Sequence, residues 1–382
     1  MKSGRMPAEI DGNLQSPGKP RNLELVTGII ESPETTTGCK QIHVKGRTVT
    51  FSRNVTIPLT RLCRNHCGYC GYRRQSGGYL RWKDIMPLLE RAVELGCCEA
   101  LLMSGERPEL VHPKAMKFLS EEGFNSTPDY AAWLCGRILD ETDLLPHSNL
   151  GVLDPDELSH LREVNASMGL MLEDASPRLC GEGMPHHGSP GKNPEVRLET
   201  IKEAGRQKIP FTTGLLIGIG QTSTEVARSL ILIRELQDLY GNIQEVIIQR
   251  FMPKRGTEMA SISPPPTRLM LNVVSAARII LGREMNIQVP PNIEREFERF
   301  IKMGANDLGG ISPITPDEIN PEETWCSEDE IFKRISSIGY RAELRPPVYR
   351  EYLRREYLEP RILERAKSWF KRFEVDPNFG EF

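Results

Sequence analysis

The sequence lacks a long apolar run and a surplus of either charge, and it has few aromatic residues. Its 49 lysines and arginines nearly balance 52 acidic residues, and aromatic residues make up 7% of the chain. The balanced charge argues against nucleic acid or a membrane surface as a partner. No segment approaches the roughly 20 apolar residues of a membrane span, and the N-terminus lacks the apolar core of a signal peptide. We therefore expect a cytoplasmic protein that acts on a small molecule.

The cysteines do not form the regular pattern of a disulfide framework. Nine is an odd count, and Cys97 and Cys98 are adjacent. This usage is typical of a reducing compartment. A chain of 382 residues that is 38% hydrophobic can bury a large core without disulfides. A small disulfide-stapled protein is therefore excluded.

Short apolar runs alternate with segments of helical period from residue 54 onward. The eight strand candidates are NVTIPL, EALLMSG, LLPHSNLG, SMGLMLE, IPFTTGLLIGIG, EVIIQRF, NIQVPP and GANDLGG. Repeated β-α units of this kind predict an α/β fold, a (β/α)8 TIM-like barrel over residues 23–315. We expect residues 1–22, which are polar and rich in Gly and Pro, to be a mobile tail, and residues 316–382 to be a helical C-terminal extension packed on the barrel.

Three cysteines follow the first strand candidate in the stretch RLCRNHCGYCGYRR. Cys63, Cys67 and Cys70 have the spacing C-x-x-x-C-x-x-C, on a loop that would lie at the C-terminal mouth of the barrel. Structural zinc normally takes four protein ligands, and no second cysteine pair of matching spacing exists. A [4Fe-4S] cluster normally takes four thiolates, so three would leave one iron open to another ligand. The triplet favours the cluster, and a zinc-binding scaffold without catalytic activity is the alternative.

The triplet, with the aromatic Tyr69 before its last cysteine, resembles the signature of the radical S-adenosylmethionine (SAM) family. The resemblance implies a radical SAM barrel with a [4Fe-4S] cluster whose open iron binds SAM as a co-substrate, and an external electron donor. It also implies SAM contacts from Tyr69, Ser104, Gly105, Glu106, Glu173, Arg197 and Gly218. For two of these a structural role is the alternative, because Glu173 could cap a helix and Arg197 could face solvent.

Further segments resemble one branch of that family, the first subunit of FO synthase, known as CofG. They include IPLTRLCRNHCGYC, LLPHSNLGVLDPDEL, GMPHHGSPGKNP and IPFTTGLLIGIGQT. The resemblance implies that an adduct of 4-hydroxybenzyl and ribityl-diaminouracil is cyclised with loss of ammonia, giving the deazaflavin FO, and that the subunit CofH is a functional partner. The alternatives within the family are the hydroxybenzyl transfer of CofH and a menaquinone-pathway radical reaction.

Polar residues near the ends of the strand candidates are candidates for substrate binding. A uracil with a ribityl chain needs many hydrogen-bond partners, which Asn, Gln, Asp and His side chains supply. The candidates are His147 and Asn149 after the third strand, Gln249 after the sixth, Asn292 after the seventh, and Asn306 and Asp307 after the eighth. Each could instead be a turn residue. Adjacent His186 and His187 are expected to face the substrate or the solvent rather than a metal.

Overall fold

Eight parallel strands form a closed barrel in the computed structural model, which describes residues 23–32 and 45–375. The strands are β1 (Thr48–Thr60), β2 (Glu99–Ser104), β3 (Leu145–Asn149), β4 (Ser167–Gly169), β5 (Phe211–Ile217), β6 (Ile243–Arg250), β7 (Asn286–Gln288) and β8 (Asp307–Ile311). Neighbours in the chain are neighbours in the sheet, and β8 pairs with β1 to close it. All eight strand candidates and the predicted barrel are confirmed. Residues 1–22, the predicted mobile tail, lie outside the described residues.

Helices surround the barrel. They are α1 (Leu23–Glu31), α2 (Trp82–Glu94), α3 (Pro113–Glu122), α4 (Thr127–Glu141), α5 (Pro155–Arg162), α6 (Pro194–Arg206), α7 (Ser223–Tyr240), α8 (Thr267–Leu281), α9 (Phe297–Lys302), α10 (Glu328–Ser337) and α11 (Pro360–Val375). A capping box opens α7, because Thr222 accepts a hydrogen bond from the Glu225 amide and the Glu225 carboxylate accepts one from the Thr222 amide. Within the described part of the chain, no helix is long and apolar enough to cross a membrane.

The C-terminal extension is not only helical. It contains α10 and α11, but between them a ninth strand, β9 (Arg341–Leu344), pairs in parallel with the first half of β1. The helix α11 buries apolar residues such as Trp369 and Phe373. The expected helices of the extension are present, and β9 additionally builds the extension into the sheet.

Directly after β9, Arg345 enters the N-terminal end of the barrel and forms its floor. Its guanidinium group donates to Asp307 at 2.7 and 2.8 Å and to Glu245 at 2.9 Å, and Tyr349 donates to the same Glu245 oxygen at 2.9 Å. All four side chains are buried. Burial raises the pKa of Glu245 to about 8. Burial acts in the same direction on Asp307, but Arg345 outweighs it and holds the pKa of that carboxyl below its ordinary value.

The positions of Asn306 and Asp307 correct one sequence expectation. Both precede the body of β8, at the floor of the barrel, instead of following the strand at the mouth. The Asn306 side chain accepts from Arg278 at 2.8 Å and from the Ile287 amide at 2.8 Å. The strand had been assumed to end within the run GANDLGG, whereas it begins there. These two side chains hold the sheet and the floor together.

Candidate active site

The three cysteines lie on a loop at the mouth of the barrel, anchored at both of its ends. The Tyr72 hydroxyl donates to the Thr60 carbonyl at 3.0 Å, and the Arg74 amide donates to the Arg61 carbonyl at 2.8 Å. A side chain at Gly105 would bring a Cβ atom to 1.9 Å from the Leu62 carbonyl oxygen. Gly105 therefore gives the loop room to pack on the end of β2. Gly105 also lines the cavity that the three cysteines share.

The cysteine sulfur atoms are half-buried and face one cavity of about 280 Å³, here called the cysteine cavity. The Cys63 sulfur accepts from the Glu106 amide at 3.2 Å and the Asn65 amide at 3.4 Å, and the Cys67 sulfur accepts from the Ser189 hydroxyl at 3.5 Å. Burial raises the pKa of Cys63 to about 11 and raises that of Cys67 as well. Because metal ligation requires thiolates, loading of a metal centre here would release protons.

Two buried carboxylates line the same cavity beside cationic partners. Glu106 accepts from Arg64 at 2.9 Å and from the Val152 amide at 3.1 Å. Glu173 accepts from Lys192 at 2.6 Å. Burial alone would raise both pKa values, but the cations outweigh it and lower them: Arg197 and Arg64 at Glu106, and Lys192 and Arg197 at Glu173. Both carboxylates are therefore held ionised.

Arg197 lies between these two carboxylates and does not face solvent. It is 3% exposed and donates to the Met171 and Gly191 carbonyls at 2.6 Å each. Its guanidinium nitrogens lie 3.7 Å from Glu106 and 3.9 Å from Glu173. Glu173 does not cap a helix, because it precedes a bend and has a φ of 65°. A non-glycine residue in this left-handed region is strained and is held there by its surroundings.

Tyr69 and Ser104 also line the cysteine cavity. The Tyr69 hydroxyl lies 3.1 Å from Nε2 of His186, which is buried and not solvated, whereas His187 is exposed. Burial lowers the pKa of His186 to about 4, so the ring is neutral. The Ser104 hydroxyl and Nδ1 of His186 are buried without a hydrogen-bond partner among residues 23–32 and 45–375. Of these two residues, Ser104 lines the cysteine cavity, and an unsatisfied hydroxyl there suits a polar ligand.

Gly218 lies away from the cysteine cavity. Its φ is 102°, and a Cβ atom there would lie 2.6 Å from Cδ of Pro265. The glycine therefore admits the loop that precedes α8. The expectation that Gly218 leaves room for SAM finds no support in these contacts.

A second cavity, of about 210 Å³, occupies the barrel interior and is here called the lumen cavity. His147, which lies within β3, contributes to its wall with Nδ1 2.6 Å from the Ser167 hydroxyl. Burial, assisted by Arg345, lowers the pKa of His147 to about 3 and keeps it neutral. Asn149 and Gln249 line both cavities, so the two spaces adjoin.

Asn292 is buried outside both cavities. Its amide nitrogen donates to Asp317 at 2.8 Å, within the segment that follows β8. Asn292, Asn306 and Asp307 line neither the cysteine cavity nor the lumen cavity. These three candidates are therefore structural in this conformation. The sequence reading also missed Lys192 and Arg64, the partners of Glu173 and Glu106. The sequence offered little to identify them: Lys192 is a basic residue in a glycine-rich loop, and Arg64 is a basic residue between two of the cysteines.

In the described ranges, no three His, Cys, Asp or Glu side chains converge closely enough to hold a single metal ion. The chemistry of the cysteine cavity nevertheless fits an iron–sulfur centre and a polar ligand. Three thiols face one cavity, backbone N–H groups point at one sulfur, and carboxylate, guanidinium and unpartnered hydroxyl groups lie beside them. Backbone N–H donors to sulfur are a common feature of iron–sulfur sites.

Comparison with known proteins agrees with this chemistry. The profile of the Radical SAM superfamily matches residues 57–233. A 7,8-didemethyl-8-hydroxy-5-deazariboflavin synthase of Methanothermobacter thermautotrophicus is 48% identical over 328 residues, which are 85% of this chain and 99% of the relative. The enzyme of the same name from Methanopyrus kandleri is 45% identical and covers 83% of this chain and 96% of its own length.

Solved structures share the fold at low sequence identity. The FeFe-hydrogenase maturase HydG from Carboxydothermus hydrogenoformans is 18% identical, with a TM-score of 0.68 over 94% of this chain and 87% of its own. Methylornithine synthase (PylB) is 19% identical, with a TM-score of 0.61 over 83% of this chain and 97% of its own. At these identities the likeness shows the fold alone.

Proposed function

Because the chain belongs to the 7,8-didemethyl-8-hydroxy-5-deazariboflavin (FO) synthase family of the radical SAM superfamily, we propose that it catalyses the ring closure that forms FO. The proposed substrate is the adduct of a 4-hydroxybenzyl group with ribityl-diaminouracil, which cyclises with loss of ammonia. The enzyme would therefore be an ammonia-releasing carbon–nitrogen lyase. The observation that carries the proposal is the joining of the cysteine cavity to a polar lumen cavity.

Cys63, Cys67 and Cys70 would hold the cluster, since all three line one cavity and no fourth cysteine of residues 23–32 and 45–375 lines it. When bound, the reduced [4Fe-4S] centre supplies the electron that cleaves SAM to methionine and a deoxyadenosyl radical. The protein residues orient the reactants and exclude water, which is the usual division of labour in a cofactor enzyme. We propose that an external donor provides the electron and that CofH supplies the adduct.

The charged groups of the cysteine cavity would position SAM. We propose that Glu106 and the Ser104 hydroxyl receive its amino group, that Arg197 faces its carboxylate, and that Glu173 accepts from the ribose hydroxyls. Tyr69 would lie near the adenine. The carboxylates are already ionised and fixed by Arg64 and Lys192, so binding would require little rearrangement.

The substitution Glu173→Gln is expected to weaken SAM binding by roughly tenfold or more, because a hydrogen bond to a charged group contributes about 1.5–3 kcal/mol. The dissociation constant would be measured by equilibrium dialysis on protein reconstituted with iron and sulfide. Glu182→Gln is the control, since Glu182 is exposed in a nearby loop. An unchanged SAM affinity in Glu173→Gln would remove this residue from the SAM site.

The proposed reaction is tested by identifying its products. Protein purified without oxygen would be reconstituted with iron and sulfide, reduced, and incubated with SAM and the adduct. We expect 5′-deoxyadenosine and fluorescent FO to appear together. If deoxyadenosine appeared without FO, the radical SAM activity would be supported and the proposed substrate would be wrong. The CofH-type and menaquinone-type alternatives predict this result. A colourless protein that binds zinc and cleaves no SAM would support the non-catalytic scaffold instead.

A further inference from the structure

Two adjacent glycines in β8 lie beneath two carboxamide side chains from the strands on either side. A Cβ atom at Gly309 would lie 2.1 Å from Nε2 of Gln288, and one at Gly310 would lie 2.2 Å from Nδ2 of Asn54. Gln288 is on β7 and Asn54 is on β1, the two neighbours of β8. Real Cβ atoms do not approach other atoms so closely. The glycine pair therefore leaves the space that both amides occupy.

Both amides face the lumen cavity, and one of them lacks a partner. Asn54 is 3% exposed, and its side-chain oxygen has no hydrogen-bond partner within the part of the chain that the structure describes. Most buried polar atoms in proteins are paired, so an unpaired oxygen on a residue that lines a cavity calls for a donor from a ligand. No sequence motif had pointed to Asn54 or Gln288.

We infer that Asn54 and Gln288, held across Gly309 and Gly310, bind the pyrimidinedione ring of the substrate. The inference rests on the proposed function, and it adds the residues that recognise the ring. A carboxamide is planar and presents an acceptor beside a donor. The imide edge of a pyrimidinedione presents carbonyl and N–H groups side by side, so it complements amides of this kind. A ribityl hydroxyl instead carries its donor and acceptor on one rotatable oxygen, so it does not require a planar donor–acceptor pair.

The glycines also make the inference testable without removing either amide. The three atoms nearest to the Cβ atom of Gly310→Ala would all belong to the Asn54 side chain, and Gly310 does not have a left-handed φ. The substitution should therefore displace the end of the Asn54 side chain while the strand remains intact. Gly309→Ala would be less informative, because Gly309 has a φ of 76° and the backbone itself would be strained.

The experiment compares Asn54→Ala, Gly310→Ala and the double variant with the wild-type protein. The control is Gly28→Ala, where an added Cβ atom would meet nothing within 4 Å. The two probes are ribityl-diaminouracil and diaminouracil, which is the same ring without the ribityl chain. Binding is measured by anaerobic equilibrium dialysis. SAM cleavage without the probe and FO formation with the adduct are recorded in parallel.

We expect each single substitution to raise the dissociation constants of both probes by about tenfold. The double variant should match Asn54→Ala, because the added methyl group then has no amide to displace. SAM cleavage without the probe and the Gly28→Ala control should stay at the wild-type level.

Three results would overturn the inference: affinities unchanged in both single variants, a loss confined to the probe with the ribityl chain, or a wild-type protein that binds neither probe. The second result would assign the amides to the polyol. Failure of the proposed function is a separate outcome. In that case the wild-type protein would bind the ring probe and lose it on substitution, yet form no FO from the adduct.

Discussion

Cys67→Ala protein is expected to be unable to hold the intact cluster and to form neither 5′-deoxyadenosine nor FO. Three thiolates bind three irons of a [4Fe-4S] centre and leave the fourth open. The loss of Cys67 therefore removes a ligand that no other cysteine of the cavity can replace. Iron and sulfide content, the visible absorption after anaerobic reconstitution, and both products would be measured. We expect the sulfide, the visible absorption and both products to fall below detection, with only residual iron remaining.

Cys180→Ala is the matched control for this experiment. Cys180 is also half-buried, but its nearest polar contact is the Lys192 carbonyl at 3.7 Å, and it does not line the cysteine cavity. This variant should retain iron, colour and both products. A Cys67→Ala protein with wild-type iron content and SAM cleavage would contradict the assignment of the triplet.

Arg345→Met is expected to destabilise the protein by about 3–5 kcal/mol at pH 7, the usual range for breaking a buried ion pair from one side. The change removes the cation that contacts Asp307 and Glu245 at the barrel floor, where all three side chains are buried. The free energy of unfolding would be measured in urea on protein without cluster or SAM. Arg361→Met is the control, since Arg361 pairs with Asp140 at the exposed surface and should change stability by less than about 1 kcal/mol.

The Arg345→Met variant should also show a distinct pH dependence. Without the guanidinium group, burial would raise the pKa of Asp307 above that of the unfolded chain, and it would raise further the pKa of Glu245, which is about 8 even with Arg345 in place. The folded state would then hold more protons than the unfolded state, so its stability would fall as the pH rises through the folded pKa values and recover as the pH is lowered. Stability measured from pH 8 to pH 5.5 should therefore increase for the variant relative to wild type. If the free energies of unfolding of both proteins declined in parallel over this pH range, Arg345 would not compensate these carboxyl groups.

The barrel was predictable because its strands carry a strong local signal. Each of the eight is a short apolar run bounded by turn residues, as in β5, where every residue is buried. The capping box at Thr222 likewise depends on residues three positions apart. The cysteine triplet could be found for the same reason, since its ligands lie on a single loop.

The barrel floor could not be predicted, because it depends on contacts between distant segments. The strand β9 has four residues, two of them charged, and Arg345 precedes two prolines, so the segment has the composition of a surface turn. Its role depends on Asp307 and Glu245, which lie 38 and 100 positions away. The amide of Asn54 went unnoticed for a similar reason, since its significance arises from the glycines of β8, a neighbouring strand in the barrel that lies far away in the sequence.

The floor also determines the stage of synthesis at which the protein can complete its folding. On the ribosome, all eight barrel strands emerge before Arg345, so Asp307 and Glu245 lack the Arg345 cation until β9 and Arg345 have followed. N-terminal regions generally fold first during translation. A nascent chain that has completed only its barrel strands therefore has two acidic groups at the base that Arg345 does not yet compensate. The native floor can form only after Arg345 has been synthesised.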